Sequence, residues 1–158
     1  MSSTTWEGDI ELLGDGTFEV EEGIKLILSG LVDVSSGSNF NSSGSIDITG
    51  GLTGSGNVNS TGGDLTVSGI DNAAYTGNFS VGSGATLTVP TGNNDYPALG
   101  NAALISLVGG SILNLEIPVQ EAPQSFANYA SFAILSITKK IPIKILGKPV
   151  KITVKKIV

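Results

Sequence analysis

The amino-acid sequence predicts an all-β protein: an irregular β-solenoid, like a parallel β-helix, over residues 1–89, and an antiparallel sheet built from hairpins over residues 90–158. Three observations carry this expectation. A short motif recurs at a nearly constant step, glycine holds a fixed place inside it, and no eleven-residue window shows a helical period. With 22 Gly among 158 residues, long helices are further disfavoured, since each internal Gly costs a helix about 1 kcal/mol relative to Ala.

The motif is one apolar residue, a polar stretch closed by Gly, and then an apolar-polar-apolar triplet. It occurs as Phe18 with Gly23 and Ile24-Lys25-Leu26, and as Phe40 with Gly44 and Ile46-Asp47-Ile48. It returns as Val58 with Gly63 and Leu65-Thr66-Val67, and as Phe79 with Gly84 and Leu87-Thr88-Val89. The leading positions step by 22, 18 and 21 residues. Stacked coils produce such a step, because length changes are absorbed at the corners while strands stay in line. Each triplet alternates as a strand does, two side chains to one face and one to the other. A single coil cannot bury its apolar face, so the end coils need covers, expected at Trp6 to Leu13 and at the C-terminal region. The competing architecture is a β-sandwich of antiparallel hairpins, which also spaces short strands 8 to 12 residues apart.

From Pro90 to Pro97 the chain is dense in turn formers, which marks the end of the repeats. Ala102 to Val108, Gly109-Gly110 and Ile112 to Ile117 read as an apolar hairpin. The final stretch offers Ile141 to Leu146 and Val150 to Val158, with Gly147-Lys148-Pro149 as a turn, and its Ile and Val positions alternate with Lys. A strand ending there is exposed to edge-to-edge pairing unless a partner covers it. The expected partner contacts are Lys144, Lys148, Lys151, Lys155 and Lys156, together with Ile152 and Val154.

Ser68 to Phe79, followed by Gly84 to Val89, resembles the passenger repeat of bacterial autotransporter adhesins. The resemblance covers about one coil and implies a right-handed parallel β-helix. The chain departs from that family in showing no export signal and no membrane barrel, since Met1 to Glu7 has neither a basic region nor an apolar stretch behind it. In size and in its Gly, Ser and Asn bias it is similar to small β-structured virion proteins, such as the capsid cement (decoration) proteins and fibre segments of bacteriophages.

Composition removes most chemistry. All 8 basic residues are Lys, and Cys, His and Arg are absent, so Ser-His-Asp triads, thiol nucleophiles, Cys or His zinc cages and Arg clamps are excluded. Asp33, Asp47, Asp64 and Asp71 are the carboxylates that a groove could pair for glycoside hydrolysis, with only Lys25 among the repeats to tune them. Neither an EF-hand loop nor a Gly-Gly-x-Gly-x-Asp repeat occurs, so no metal or cofactor is expected. Asn-x-Ser/Thr triplets at Asn41, Asn59 and Asn78 are what chance supplies in so Asn-rich a chain. No stretch approaches the roughly 20 apolar residues of a membrane-spanning helix.

Charge is segregated. Residues 1–121 carry all 14 acids and one base, Lys25, whereas residues 122–158 carry seven Lys and no acid. The Lys-rich end is expected to meet an anionic surface, though without Arg or base-stacking motifs it is not expected to read a nucleic-acid sequence. These features lead to a non-catalytic structural protein of a virus particle, a bacteriophage capsid cement protein acting as a homo-oligomer, expected to be a trimer, on a major capsid or other assembly protein. The alternative is an extracellular β-helical adhesin fragment that binds a receptor or glycan.

Overall fold

In the computed structural model the chain is described over residues 1–69, 72–90, 99–118, 143–146 and 151–157, with residues 117–118 and the last two segments described by their backbone alone. Among the described residues the structure is built from strands, wound into a parallel β-solenoid of about five turns. The first coil holds β1 (Ser2–Trp6), β2 (Ile10–Leu12) and β3 (Gly16–Glu19), and the second holds β4 (Ile24–Leu28), β5 (Val32–Val34) and β6 (Asn39–Ser43). The third holds β7 (Ser45–Ile48), β8 (Leu52–Gly54) and β9 (Asn57–Gly62). After it come β10 (Asp64–Val67), β11 (Asn78–Val81), β12 (Thr86–Pro90), β13 (Leu104–Val108), β14 (Ile112–Pro118), β15 (Ile143–Leu146) and β16 (Lys151–Ile157).

Strands at equivalent places in successive coils pair to form three sheets. The first runs β1-β4-β7-β10-β12-β14-β16, the second β15-β13-β11-β9-β6-β3, and the third β2-β5-β8. Every described strand pair is parallel, which excludes the β-sandwich. It also corrects the antiparallel C-terminal sheet. β13 and β14 do not form a hairpin with each other: β13 pairs with β11 and β15, and β14 with β12 and β16. Gly109-Gly110 is therefore a corner between sheets. β15 and β16 likewise belong to different sheets, while the turn expected at Gly147 to Pro149 lies outside the described residues.

The register explains why the triplets alternate. Thr4, Leu26, Ile46, Leu65, Leu87, Leu113 and Ile152 occupy one column of the first sheet. Leu26 is partly buried and Ile46 to Leu113 are fully buried in one continuous core with Ile48, Val67, Val89 and Leu115 of the neighbouring column. The intervening Asp47, Thr66 and Thr88 face outward and are partly buried. Corner glycines Gly23, Gly44, Gly63, Gly84 and Gly110 all have positive φ, between 69° and 93°, ahead of a first-sheet strand.

Trp6 to Leu13 is not a cover. β1 and β2 pair in parallel with β4 and β5, so this segment is the first coil itself. Its inward side has nothing stacked beneath it among the described residues: Trp6 is 56% exposed, Leu13 78%, and Ile10, Leu12 and Phe18 only partly buried.

Candidate interaction surfaces

Four surfaces could meet a partner: the outward face of the second sheet, the outward face of the first, and the two ends of the stack. On the second sheet, small polar residues repeat at outward positions and side chains bond from coil to coil. Asp15 Oδ1 accepts the Asn39 side-chain amide at 2.7 Å, Asn57 Nδ2 donates to Asn39 Oδ1 at 2.9 Å, and Asn78 Nδ2 donates to Asn57 Oδ1 at 3.0 Å. Beside this ladder Asn59 donates to Asn41 Oδ1 at 2.9 Å. The Asn triplets that chance would explain thus supply rungs of amide ladders, which brace successive coils and leave few amide groups free for a ligand.

The outward face of the first sheet is concave, with a groove of about 490 Å³ whose walls include Lys25, Asp64, Thr66, Thr88, Asn114 and Glu116. Lys25 is committed to Asp47, Nζ to Oδ2 at 3.2 Å, and Ser68 Oγ donates to the other oxygen of Asp47 at 2.7 Å. Of the four carboxylates singled out for glycoside hydrolysis, Asp33 stands on the third sheet and Asp47 and Asp64 on the first, while Asp71 lies outside the described residues. Asp33 and Asp47 therefore belong to different faces. Among the described residues no group of three or more Asp or Glu side chains is placed to hold a metal ion, and no helix is long and apolar enough to cross a membrane.

The N-terminal end combines apolar surface with acid. Trp6, Ile10, Phe18, Leu26 and Leu28 line a hollow of about 220 Å³ where the core meets solvent. Around it the first coil and its corner carry Glu7, Asp9, Glu11, Asp15, Glu19, Glu21 and Glu22, all exposed. Two of these also act within the fold: Asp9 Oδ1 accepts the Leu31 N–H at 2.8 Å, and Asp15 Oδ1 accepts the Asn39 N–H at 3.0 Å. The acidic end therefore partly ties the first coil to the second.

The C-terminal end carries the residues expected to contact a partner. Lys144 is on β15, in register with Ser106; Lys151, Ile152, Val154, Lys155 and Lys156 are on β16, in register with Ile112, Leu113, Leu115, Glu116 and Ile117. Ile152 and Val154 thus hold the next register positions beyond the core residues Leu113 and Leu115. Lys148 lies outside the described residues. Sequence reasoning missed the groove because its wall residues are scattered over successive strands of the first sheet, Lys25 on β4, Asp64 and Thr66 on β10, Thr88 on β12, Asn114 and Glu116 on β14, with no pattern that joins them; Thr66 and Thr88, at the centres of two triplets, were its one visible trace.

No protein-family model, curated protein or solved structure matches the chain.

Proposed function

We propose that the chain is a non-catalytic structural component of a virus particle, a bacteriophage capsid cement protein whose solenoid braces the shell through its lysine-rich C-terminal strands. The observation that carries this reading is the position of β16 at the edge of the seven-stranded sheet, with Ile152 and Val154 continuing the core register and Lys151, Lys155 and Lys156 alongside them. An edge of this kind presents unpaired backbone groups and gains from a partner, and lysine steers it to an anionic one. The self-bonded Asn ladders support the same reading, because they stiffen a rod instead of presenting a reactive centre. The oligomer on the shell is proposed to be a trimer.

The alternative reading, an extracellular adhesin that binds a glycan, is favoured by the groove on the first sheet, where Thr, Asp, Asn and Glu side chains offer a line of hydrogen-bonding groups. One labelling experiment separates the two. An antibody against the folded chain, applied to virions and to intact uninfected cells from the source culture, should mark the virions. Label on uninfected cells alone would replace the particle reading with the adhesin.

A further inference from the structure

We propose that copies of this chain stack head to tail, the C-terminal end of one on the N-terminal end of the next, so that parallel sheets continue across the joint. The proposal goes beyond the particle reading and does not depend on it.

The first ground is the match of the two ends. β1 and β16 are opposite edges of one parallel sheet, and β3 and β15 opposite edges of another. Translation of a second copy along the stack therefore brings β16 beside β1 and β15 beside β3, each pair in the orientation that the sheet already uses. Among the described residues β1 pairs only with β4 and β16 only with β14, leaving a row of backbone donors and acceptors at each end. The register column that begins at Thr4 and runs through Leu113 ends at Ile152, and Val154 follows Leu115 in the next, so the joint would place these positions over the hollow lined by Trp6 and Phe18.

Charge chooses the partner. Before Lys25 the chain holds seven acids and no base, and after Glu121 it holds seven Lys and no acid. Like ends brought together repel and unlike ends attract, which disfavours a two-fold dimer through either end and favours the heterologous contact. A heterologous contact that does not close into a ring propagates into an open filament.

Trp6 is the only tryptophan and stands at the joint, 56% exposed, so its fluorescence reports on stacking. At low salt, concentrating the protein should shift Trp6 emission to the blue while sedimentation shows species that grow without a fixed end size; salt near 1 M, where the Debye length is about 3 Å, should reverse both. The decisive test is a charge swap. The variant with Glu7, Glu11, Glu19, Glu21 and Glu22 all changed to Lys has two cationic ends, and the variant with Lys144, Lys148, Lys151, Lys155 and Lys156 all changed to Glu has two anionic ends; Asp9 and Asp15, which accept backbone N–H groups, are kept. Each alone should stay monomeric while keeping its strand-type circular dichroism, and an equimolar mixture should recover the growing species. A wild-type monomer at every concentration, a closed dimer of fixed size, or folded variants whose mixture stays monomeric would each overturn the proposal. Should a variant fail to fold, the wild-type salt and Trp6 measurements decide alone. Stacking without virion labelling would sink the particle reading and leave this one standing.

Discussion

The side-chain carbonyl of Asn72 accepts the backbone N–H of Leu52, so one amide takes the place of a missing strand. Among the described residues the third sheet ends at β8, and a single parallel bridge, Gly54 to Tyr75, continues it into the fourth coil. Leu52 is fully buried, and without Asn72 its N–H would face the core unpaired. The same side chain donates to Gly69 O at 2.9 Å, closing the local turn.

Asn72→Ala should therefore destabilise the chain by about 1–3 kcal/mol, the cost of a buried donor left without its acceptor. Asn101→Ala removes an exposed amide that bonds Ala73 O and should cost less. Urea unfolding of both variants against the parent checks this; equal losses would mean that Leu52 finds another acceptor.

Corner glycines differ in what surrounds them. A Cβ at Gly63, φ +69°, would lie 2.4 Å from the carbonyl oxygen of Gly44 in the coil beside it, whereas one at Gly84, φ +79°, would meet nothing within 4 Å. Gly84→Ala should cost the left-handed backbone penalty alone, about 1–2 kcal/mol. Gly63→Ala should cost clearly more, because two corner backbones must also separate. Similar melting temperatures for the two variants would contradict the close stacking.

The strand phase gives a sharper contrast. Val67 and Val89 are fully buried in the core, and Asp at either place puts an unpaired charge there, a change in the class that exceeds about 4 kcal/mol and is expected to unfold the chain. Asp at Thr66 or Thr88, on the outward face of the same strands, should be mild. Circular dichroism of the four variants at room temperature decides it.

This phase was legible in the sequence because Leu65-Thr66-Val67 and Leu87-Thr88-Val89 carry it unaided. The second-sheet register was less so. Phe18 and Phe40 look equivalent by type, yet Phe40 pairs with Gly16 and Phe18 with Ser42. Phe18 stacks its ring on Phe40, centroids 4.5 Å apart, reaching over the place where Gly16 has no side chain. A two-residue offset preserves the face, so alternation could not reveal it. Gly110 was hidden for another reason: the interval between corners lengthens from 21 residues to 26 there, and two adjacent glycines between apolar runs look like a hairpin turn. Asn72 was likewise invisible in its role, since a side chain standing in for a strand leaves no period.

Tyr75 should give the protein an alkaline limit. Its ring is fully buried and its hydroxyl lies 2.8 Å from Asn78 O and 3.1 Å from Gly56 O. Burial pushes the phenol well above its usual range, offset only in part by the Val58 backbone. Unfolded tyrosine ionises near pH 10 while the native group holds its proton. The contribution is thus full below that pH and is lost as pH rises toward the native value, by up to about 1.4 kcal/mol per pH unit. Tyr75→Phe should be less stable than the parent at neutral pH, because the single hydroxyl proton shared between the Asn78 and Gly56 carbonyls is lost, and the gap should narrow above about pH 10. Denaturant unfolding at a series of pH values tests this, since lysine titration is common to both proteins. A gap that stayed constant would show that Tyr75 ionises no differently in the two states.

The basic strands provide the last contrast, between charge and apolar surface. If Lys144, Lys151 and Lys155 steer β15 and β16 onto an anionic partner, changing all three to Gln should weaken assembly and leave the fold intact, because exposed charges add little to stability but much to association. High salt should imitate that variant. Truncation after Lys140 should be more severe, because it removes both edge strands, and with them Ile152 and Val154 at the register positions next to Leu113 and Leu115. Apolar area lost there would cost about 25 cal/mol per Å². Sedimentation of the parent, the Gln variant and the truncated chain at low and high salt separates the terms. If truncation alone had an effect, the joint would be apolar and the lysines edge protection against indiscriminate pairing. If neither change altered association, residues 141–158 would serve only to cover the last coil, and assembly through this end would be ruled out.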